Sequence, residues 1–401
     1  MTVFFKKSIP FVGLLFIITS CSVNKNIQSK NTTLNPTNTG TQKQIRLSQP
    51  INFKTGADNF ENYLPLLKDK KVGVVSNQTG VLTNKTHLID FLLANAINVE
   101  KIFAPEHGFR GTADAGELIV DGKDTKTGLP IISLYGANKK PKSEQLEGID
   151  ILVFDIQDVG ARFYTYISSL HYVMEACAEN NIPLLVLDRP NPNGFIIDGP
   201  ILEKEFTSFV GMHPVPVLYG MTIGEYAQMI NGENWLHSTI DSGQALQCNL
   251  TVIPCVQYDR NASYAILEKP SPNLPNDQSI NLYASLCFFE GTNVSSGRGT
   301  DKQFQIYGSP FLPNTGFSFT PEPNLGAKEP MHKGVLCYGE DLSTIEPVHQ
   351  IELKWLINAY NATEDKTKFF IPFFSKLAGT KTLQLQIEAG LSERKIKKSW
   401  K

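Results

Sequence analysis

The chain has 401 residues, a length that most often folds as two globular domains. Hydrophobic residues make up 41% and charged residues 19%, which excludes a disordered or fibrous protein. The formal net charge of -2 excludes attraction of nucleic acid by bulk charge. We therefore expect local cations to bind any acidic ligand, and we expect no nucleic-acid partner. The sequence does not specify an oligomeric state.

The N-terminus has the features of an export signal. Two lysines precede an apolar run over residues 9–18, which is too short to span a bilayer but suits the core of a signal peptide. The segment ITSC at 18–21 resembles the lipobox of bacterial lipoproteins, in which the cysteine is lipidated. The alternative is an ordinary secretory signal with a chance cysteine. We predict a signal peptide over 1–20 and lipidation of Cys21, which would anchor an exported protein to the cell envelope, facing the periplasm.

Residues 21–54 are predicted to form a disordered tether. Up to residue 50 most side chains are Asn, Gln, Ser, Thr or Lys and none is aromatic, so the segment cannot bury enough apolar surface to fold.

The first half of the remaining chain alternates strands with helices. Continuous apolar runs predict strands buried on both faces. These runs are Val72–Val75, Ile102–Ala104, Ile131–Leu134, Ile151–Asp155 and Leu184–Asp188. An apolar stripe at helical spacing from Ile167 to Cys177 predicts a helix between the last two strands, and another helix is predicted around Lys85–Ala96. The sum is a doubly wound, Rossmann-like α/β catalytic domain over residues 55–210.

The second half predicts a smaller C-terminal α/β or α+β domain over residues 211–401. A helix is indicated over Ile223–Ile230 and a strand over Leu250–Pro254, followed by an apolar segment over Leu282–Phe289.

The cysteine spacing does not indicate a disulfide framework. Cys248 and Cys255 are the only close pair beyond the lipobox, and they either form a bridge or are small buried side chains. No CxxC, HExxH or paired Cys/His spacing occurs, so no metal is expected. The signatures of Rossmann cofactor binding, P-loop hydrolysis and serine esterases are also missing, and we expect no cofactor.

Polar residues concentrate where the predicted strands end. Ligands of open α/β sheets bind outside the carboxyl ends of the strands, so these residues are site candidates. They are Asn77, Glu106, His107, Arg110, Asp155, Asp158, Arg162, Arg189, Asn191 and Asn193. A glycine-rich loop in the second half adds Glu290, Thr292, Ser295, Arg298 and Thr300, and its backbone N–H groups can approach a ligand closely.

Structural explanations compete with these assignments. Gly and Asn at strand ends often serve turn geometry alone, and Asp158 and Arg162 have the spacing of an ion pair on a helix surface. Glu106 is the strongest candidate. It lies beside a histidine, between proline and glycine, directly after a buried strand, and a turn alone does not require two ionisable side chains at this position. His107 is predicted to ligate a metal, orient Glu106 or hydrogen-bond the substrate.

Five long motifs occur in order and cover about residues 55–400 of the chain. They are VGVVSNQTGV (72–81), FAPEHGFRGTADAGE (103–117), DIQDVGARFYTYISSL (155–170), DRPNPNG (188–194) and EGTNVSSGRGTDKQF (290–304). With these motifs the chain resembles the NamZ-type exo-β-N-acetylmuramidases, a bacterial family formerly known as a domain of unknown function. The resemblance implies a Rossmann-like N-terminal domain, a C-terminal α/β domain and an active-site cleft between them. It also implies release of N-acetylmuramic acid from non-reducing ends of peptidoglycan fragments of the MurNAc-GlcNAc type, in cell-wall turnover and recycling.

Glycoside hydrolysis needs one carboxylic acid and a second carboxylate as nucleophile or base. We predict Glu106 as the acid. The second role is left open among Glu290, Asp155, Asp158 and Glu117.

The predicted substrate contacts follow from the chemistry of the sugar. The lactyl carboxylate of N-acetylmuramic acid calls for a bidentate cation, for which Arg110, Arg162 and Arg298 are available. Tyr164 and Tyr166 either stack on the sugar or belong to the core. The further predicted contacts are Asn77, Glu117, Arg189, Asn191, Asn193, Thr292, Ser295 and Thr300.

Two alternatives belong to other functional classes. A lipoprotein that only binds muropeptides or sugars would use the same arginines and tyrosines without acid–base carboxylates. A metal-dependent amide or ester hydrolase would use His107 with Asp155 or Asp158 as ligands.

Overall fold

A computed structural model describes residues 52–106, 108–109, 121–238 and 244–400. The predicted signal peptide and most of the tether lie outside the described residues, as do the predicted site residues Cys21, His107, Arg110 and Glu117. The predictions made for them stay predictions.

Twelve strands occur in the described chain. They are β1 (Lys71–Ser76), β2 (Asn98–Ala104), β3 (Gly122–Lys123), β4 (Pro130–Ser133), β5 (Ile151–Asp155), β6 (Leu184–Leu187), β7 (Ile197–Asp198), β8 (Leu218–Tyr219), β9 (Leu250–Ile253), β10 (Ile306–Ser309), β11 (Ser318–Phe319) and β12 (Cys337–Asp341).

Ten α-helices accompany them in the same residues. They are α1 (Leu64–Leu67), α2 (Leu88–Ala94), α3 (Ser143–Leu146), α4 (Tyr166–Glu179), α5 (Ile223–Gly232), α6 (Asp277–Leu286), α7 (Lys354–Ala362), α8 (Phe373–Ala378), α9 (Thr382–Glu388) and α10 (Glu393–Lys398). Short 3-10 helices form at Phe60–Asn62, Lys204–Phe206, Cys287–Gly291 and Lys366–Lys368.

The central sheet has seven strands in the order β3-β4-β2-β1-β5-β6-β9. All neighbours pair in parallel except the edge strand β3. Without β3, the parallel strands follow the order 3-2-1-4-5-6, which is the doubly wound order of dinucleotide-binding folds. The predicted Rossmann-like architecture is confirmed.

Both faces of this sheet are covered, as the continuous apolar runs predict. In β5, Leu152 and Phe154 join the core cluster that contains α4 and α5, whereas Ile151 and Val153 join the cluster that contains α1 and α2. This alternation explains why the strand has no polar face.

The predicted strands and helices are found with small shifts at their ends. Helix α2 starts later than predicted, because Lys85 has φ 64° and the His87 side chain accepts the backbone N–H of Ile89 as an N-cap.

The chain beyond residue 210 contributes to both parts of the fold. Strand β9 pairs in parallel with β6, so residues 250–253 complete the central sheet. A smaller antiparallel sheet, in the order β10-β12-β11, follows with helices α7 to α10. The domain boundary predicted at residue 210 stays a prediction, although β9 of the central sheet lies beyond it.

The cysteines of the described chain are all free, so Cys248 and Cys255 do not form a bridge. Within the same residues, no helix has both the length and the hydrophobicity needed to cross a membrane.

Candidate active site

A buried ion pair joins the carboxyl ends of β5 and β6. Asp155 ends β5 and Arg189 follows β6, and the guanidinium donates to both carboxylate oxygens, with Nε–Oδ1 at 2.6 Å and Nη2–Oδ2 at 2.8 Å. The two residues are 0% and 3% exposed. Arg189 also donates to the backbone oxygen of Val81 at 3.0 Å. Both predicted site residues therefore hold strand ends together, at the position where a nucleotide cofactor would bind in a Rossmann fold.

The three strand-end asparagines are also buried and bonded internally. Asn77 accepts from the backbone and hydroxyl of Thr79 and donates to Tyr166 Oη at 2.8 Å. The Asn191 oxygen accepts the backbone N–H of Asn193 at 2.8 Å, and the Asn193 amide donates to two backbone oxygens. These side chains shape the loops below the site, as the alternative of turn geometry predicts.

Arg162 does not reach a ligand pocket and does not pair with Asp158. Its side chain is 0% exposed and donates to four backbone oxygens. The acceptors are Pro200, Val215, Leu377 and Ala378, at 2.7 to 3.0 Å. Burial lowers the pKa of Arg162 to about 10. The arginine therefore joins distant segments of the chain.

Asp158 is sealed in the interior as well. One carboxylate oxygen accepts the backbone N–H of Gly160 at 2.7 Å and a short hydrogen bond from the Tyr219 hydroxyl. Burial raises the pKa of Asp158 to about 6, although both hydrogen bonds oppose this shift. A pKa near neutrality suits proton transfer, but Asp158 does not line the pocket described next.

A cavity of about 160 Å³, here called the Glu106 pocket, is built from both halves of the chain. Its walls are Glu106, Phe163, Tyr164, Thr165, Tyr166, Val210, Ser271, Asn273, Leu274, Tyr283, Cys287, Glu290, Arg298, Phe304, Phe373 and Leu377. Of the predicted site residues, it brings together Glu106, Tyr164, Tyr166, Glu290 and Arg298.

Glu106 lies two residues after the end of β2 and beside the start of α4. The hydroxyl of Thr165, which immediately precedes this helix, donates to Glu106 Oε2 at 2.6 Å. Glu106 is therefore held at the pocket wall by a helix of the N-terminal half.

Glu290 is presented by the 3-10 helix that continues α6. Its Oε1 accepts from the Ser296 hydroxyl at 2.6 Å, and its Oε2 lies 3.3 Å from Arg298 Nη1. The two side chains are 27% and 22% exposed, so the pair borders the pocket without being sealed. A guanidinium and a hydroxyl thus donate to different oxygens of this carboxylate.

The remaining predicted residues of the glycine-rich loop determine its shape. Thr292 donates to the backbone oxygen of Phe289 at 2.8 Å, and Thr300 donates to that of Gly297 at 2.7 Å. Ser295 accepts the backbone N–H of Gly297, whose φ of 81° suits a residue without a side chain. These bonds turn the chain so that Ser296 and Arg298 reach Glu290.

Three tyrosines line the pocket, and two of them share one acceptor. Tyr164 and Tyr166 donate to the backbone oxygen of Pro270 at 2.7 and 3.1 Å, with their ring centroids 4.8 Å apart. Burial raises the pKa of Tyr283 well above its usual value. Tyr283 therefore lines the pocket as a neutral hydroxyl at physiological pH.

Several wall residues were missed by the sequence analysis. Thr165 lies inside a quoted motif but was given no role, and Ser271, Asn273 and Tyr283 lie outside the motifs. Ser296, which donates to Glu290 from behind the wall, was also given no role. The segment PSPN over 270–273 carries a usable signal, since two prolines and an asparagine before a helix predict a rigid polar loop. The apolar wall residues carry no comparable signal in the sequence.

The chemistry available in the Glu106 pocket is that of two carboxylates with a neighbouring cation, hydroxyls and aromatic rings. Across the described chain, no group of three or more His, Cys, Asp or Glu side chains is arranged to hold a metal ion. His107, the histidine of the metal-dependent alternative, lies outside those residues.

Comparison with known proteins identifies the family. The N-terminal and C-terminal models of exo-beta-N-acetylmuramidase NamZ match residues 72–278 and 281–401. The chain belongs to the NamZ family. The peptidoglycan beta-N-acetylmuramidase NamZ of Bacillus subtilis (strain 168) is 38% identical over 376 residues, which span 86% of this chain and 87% of that protein. The resemblance inferred from the five motifs is confirmed.

Two crystal structures of DUF1343 family proteins from Bacteroides fragilis NCTC 9343 resemble this NamZ family chain. One is 45% identical with a TM-score of 0.80 and covers 88% of this chain and 95% of its own. The other is 27% identical with a TM-score of 0.68 and covers 88% and 99%.

Proposed function

We propose that the chain is an exo-acting glycoside hydrolase. It releases N-acetylmuramic acid from the non-reducing ends of peptidoglycan fragments of the MurNAc-GlcNAc type, in cell-wall turnover and recycling. Membership of the NamZ family and the name of the Bacillus subtilis relative support this activity. The observation that carries the proposal is that Glu106 and Glu290, from separate halves of the chain, line one pocket.

Glu106 is proposed as the general acid. Cleavage of a glycosidic bond requires a proton on the leaving oxygen as its bond to the anomeric carbon breaks. Glu106 borders the pocket and its Oε2 is oriented by Thr165, so the carboxyl group has a fixed position from which to donate.

Glu290 is proposed as the second carboxylate. Of the four candidates, Asp155 and Asp158 are engaged in the interior and Glu117 lies outside the described residues. Glu290 borders the pocket, where the Ser296 hydroxyl and the Arg298 guanidinium donate to its two oxygens. An anion near the anomeric carbon either attacks it or activates a water molecule, and it stabilises the positive charge that develops in the transition state.

Arg298 is proposed to bind the lactyl carboxylate. Arg162 donates to backbone oxygens in the interior, whereas the Arg298 guanidinium borders the pocket. A guanidinium pairs with a carboxylate through parallel hydrogen bonds, which would favour a muramic sugar over one without the lactyl group.

Lipid anchoring through Cys21 is proposed as the location of the enzyme in the cell envelope. The lipobox-like segment at 18–21 supports it. Mass spectrometry of the protein purified from membranes should find an acylated N-terminal cysteine, and the Cys21→Ala variant should move to the soluble fraction. Recovery of an unacylated protein that retains residues 1–20 would contradict the anchor.

The enzymatic proposal is tested with Glu106→Gln. This variant should lose at least about 100-fold in release of N-acetylmuramic acid from a MurNAc-GlcNAc disaccharide, because the amide cannot donate the proton. The exposed Glu205→Gln serves as the matched control and should retain full turnover. Near-normal turnover by folded Glu106→Gln would remove Glu106 from the acid role, and binding of the disaccharide by wild type without any product would favour a sugar-binding protein.

A further inference from the structure

Thr165 occupies the N-cap position of α4 but does not cap the helix. An N-cap threonine ordinarily accepts a backbone N–H of the first turn with its side-chain oxygen. The Thr165 side chain makes no such bond, and its hydroxyl instead donates to Glu106 Oε2 at 2.6 Å. A capping contribution to stability is thus replaced by a contact with the pocket carboxylate.

Thr165 is almost fully buried and precedes a well-packed helix. The residue is 9% exposed, and α4, which it precedes, has 14 residues, 11 of them buried in the core. The helix therefore presents Thr165 from a rigid support, as a precise catalytic geometry requires.

The hydrogen bond also favours one oxygen of Glu106 as the carrier of the proton. In a neutral carboxyl group the carbonyl oxygen is the stronger acceptor, whereas the hydroxyl oxygen donates its proton and accepts more weakly. A hydroxyl of Thr165 that donates to Oε2 therefore favours Oε2 as the carbonyl oxygen and Oε1 as the oxygen that carries the proton.

We propose that Thr165 is a positioning residue that directs the proton of Glu106 to Oε1 for transfer to the leaving group. The inference rests on the proposed function, because it assumes that Glu106 is the general acid. Thr165 acts through Glu106, and the glycosidic oxygen receives its proton from Oε1 while Oε2 keeps the bond to the threonine hydroxyl.

The test compares two leaving groups. An activated aryl muramoside such as the 4-nitrophenyl glycoside needs little protonation, whereas the sugar leaving group of MurNAc-GlcNAc depends on the acid. Thr165→Val keeps the shape of the side chain and removes the hydroxyl. We expect kcat for the disaccharide to fall roughly 10- to 100-fold and kcat for the aryl glycoside to fall less than about 3-fold, with KM little changed. Thr165→Ser should restore disaccharide turnover to within about 3-fold of wild type.

Thr222 offers a matched control. It also stands at a helix N-terminus and donates to a carboxylate, Asp188 Oδ2, at 2.9 Å, but it caps its helix by accepting the backbone N–H of Glu225. Thr222→Val should lower the unfolding temperature and leave the ratio of the two kcat values unchanged. Thr165→Val should leave the unfolding temperature nearly unchanged, because no capping bond is lost, and should change the ratio of the two kcat values.

The outcomes separate this inference from the proposed function. Equal losses on both substrates in Thr165→Val, together with a leaving-group-dependent loss in Glu106→Gln, would overturn the role of Thr165 and leave the enzyme assignment intact. A Glu106→Gln variant with normal disaccharide turnover would overturn the acid assignment itself. Failure of Thr165→Val to fold would contradict the claim that its hydroxyl serves Glu106 and not the helix.

Discussion

The guanidinium of Arg298 lies 3.3 Å from Glu290 Oε2, so a cation and a carboxylate meet at the wall of the Glu106 pocket. Arg298 also donates to the backbone oxygen of Gly326 at 3.1 Å, which fixes the guanidinium from a second side. The arginine is thereby placed both to donate to Glu290 and to contact an acidic substituent of the substrate.

Replacement of Glu290 by glutamine should abolish hydrolysis. The amide cannot attack the anomeric carbon or activate water, and the loss of the negative charge removes stabilisation of the transition state. We expect Glu290→Gln to lower kcat for MurNAc-GlcNAc by at least about 100-fold with an unchanged circular dichroism spectrum. Asp158→Asn, which alters a buried carboxylate outside the pocket, should retain turnover. The opposite pattern would assign the second carboxylate to Asp158.

Replacement of Arg298 by glutamine should reduce discrimination between sugars. If the guanidinium pairs with the lactyl carboxylate, kcat/KM for an aryl muramoside should fall by roughly 10- to 100-fold relative to the matching N-acetylglucosaminide, which has no lactyl group. Steady-state kinetics on the two substrates gives the ratio directly. Because Arg298 also pairs with Glu290, both rates are expected to fall, and only an unchanged ratio would refute lactyl recognition.

The sequence predicts the sheet well because its strands are continuous apolar runs. A strand without polar residues is stable only where both of its faces are buried. In β5, alternate residues belong to two different core clusters, so both faces are buried. It also predicts Glu106, since a carboxylate after such a strand falls at the edge of the sheet where the loops converge.

The partners of the charged loop residues could not be predicted from the sequence. Asp155 and Arg189 both follow strands, yet they neutralise each other in the core. Arg162 donates to carbonyl groups of residues 200, 215, 377 and 378, which only the tertiary fold brings together. The type and the strand-end position of a residue therefore predict that a polar side chain is needed, but not whether it meets the substrate or another part of the protein.

The ion pair of Asp155 with Arg189 should be required for stability and not for chemistry. Asp155→Asn leaves a buried guanidinium without its counter-charge, and we expect the free energy of unfolding to fall by about 3–5 kcal/mol. Urea denaturation measures the loss, and kcat of the remaining folded enzyme should stay within about 3-fold of wild type. A stable Asp155→Asn protein without activity would return Asp155 to the catalytic candidates.

The buried carboxyl group of Asp158 should make stability depend on pH. Burial raises its pKa from 3.8 to about 6 in the folded protein, whereas the unfolded chain keeps the ordinary value. Between these two values the folded protein holds a proton that the unfolded chain has lost. The stabilisation from this group is therefore fully present below pH 3.8 and is lost as the pH rises through about 6.

Asp158→Asn isolates this contribution, because the amide does not titrate and every other group is shared with wild type. The free energy of unfolding of wild type minus that of the variant should decrease by about 2–3 kcal/mol between pH 4 and pH 7. Urea denaturation of both proteins at several pH values measures the difference. A difference that is constant with pH would mean that Asp158 is already ionised in the folded protein at pH 4, with the Tyr219 and Gly160 hydrogen bonds outweighing its burial.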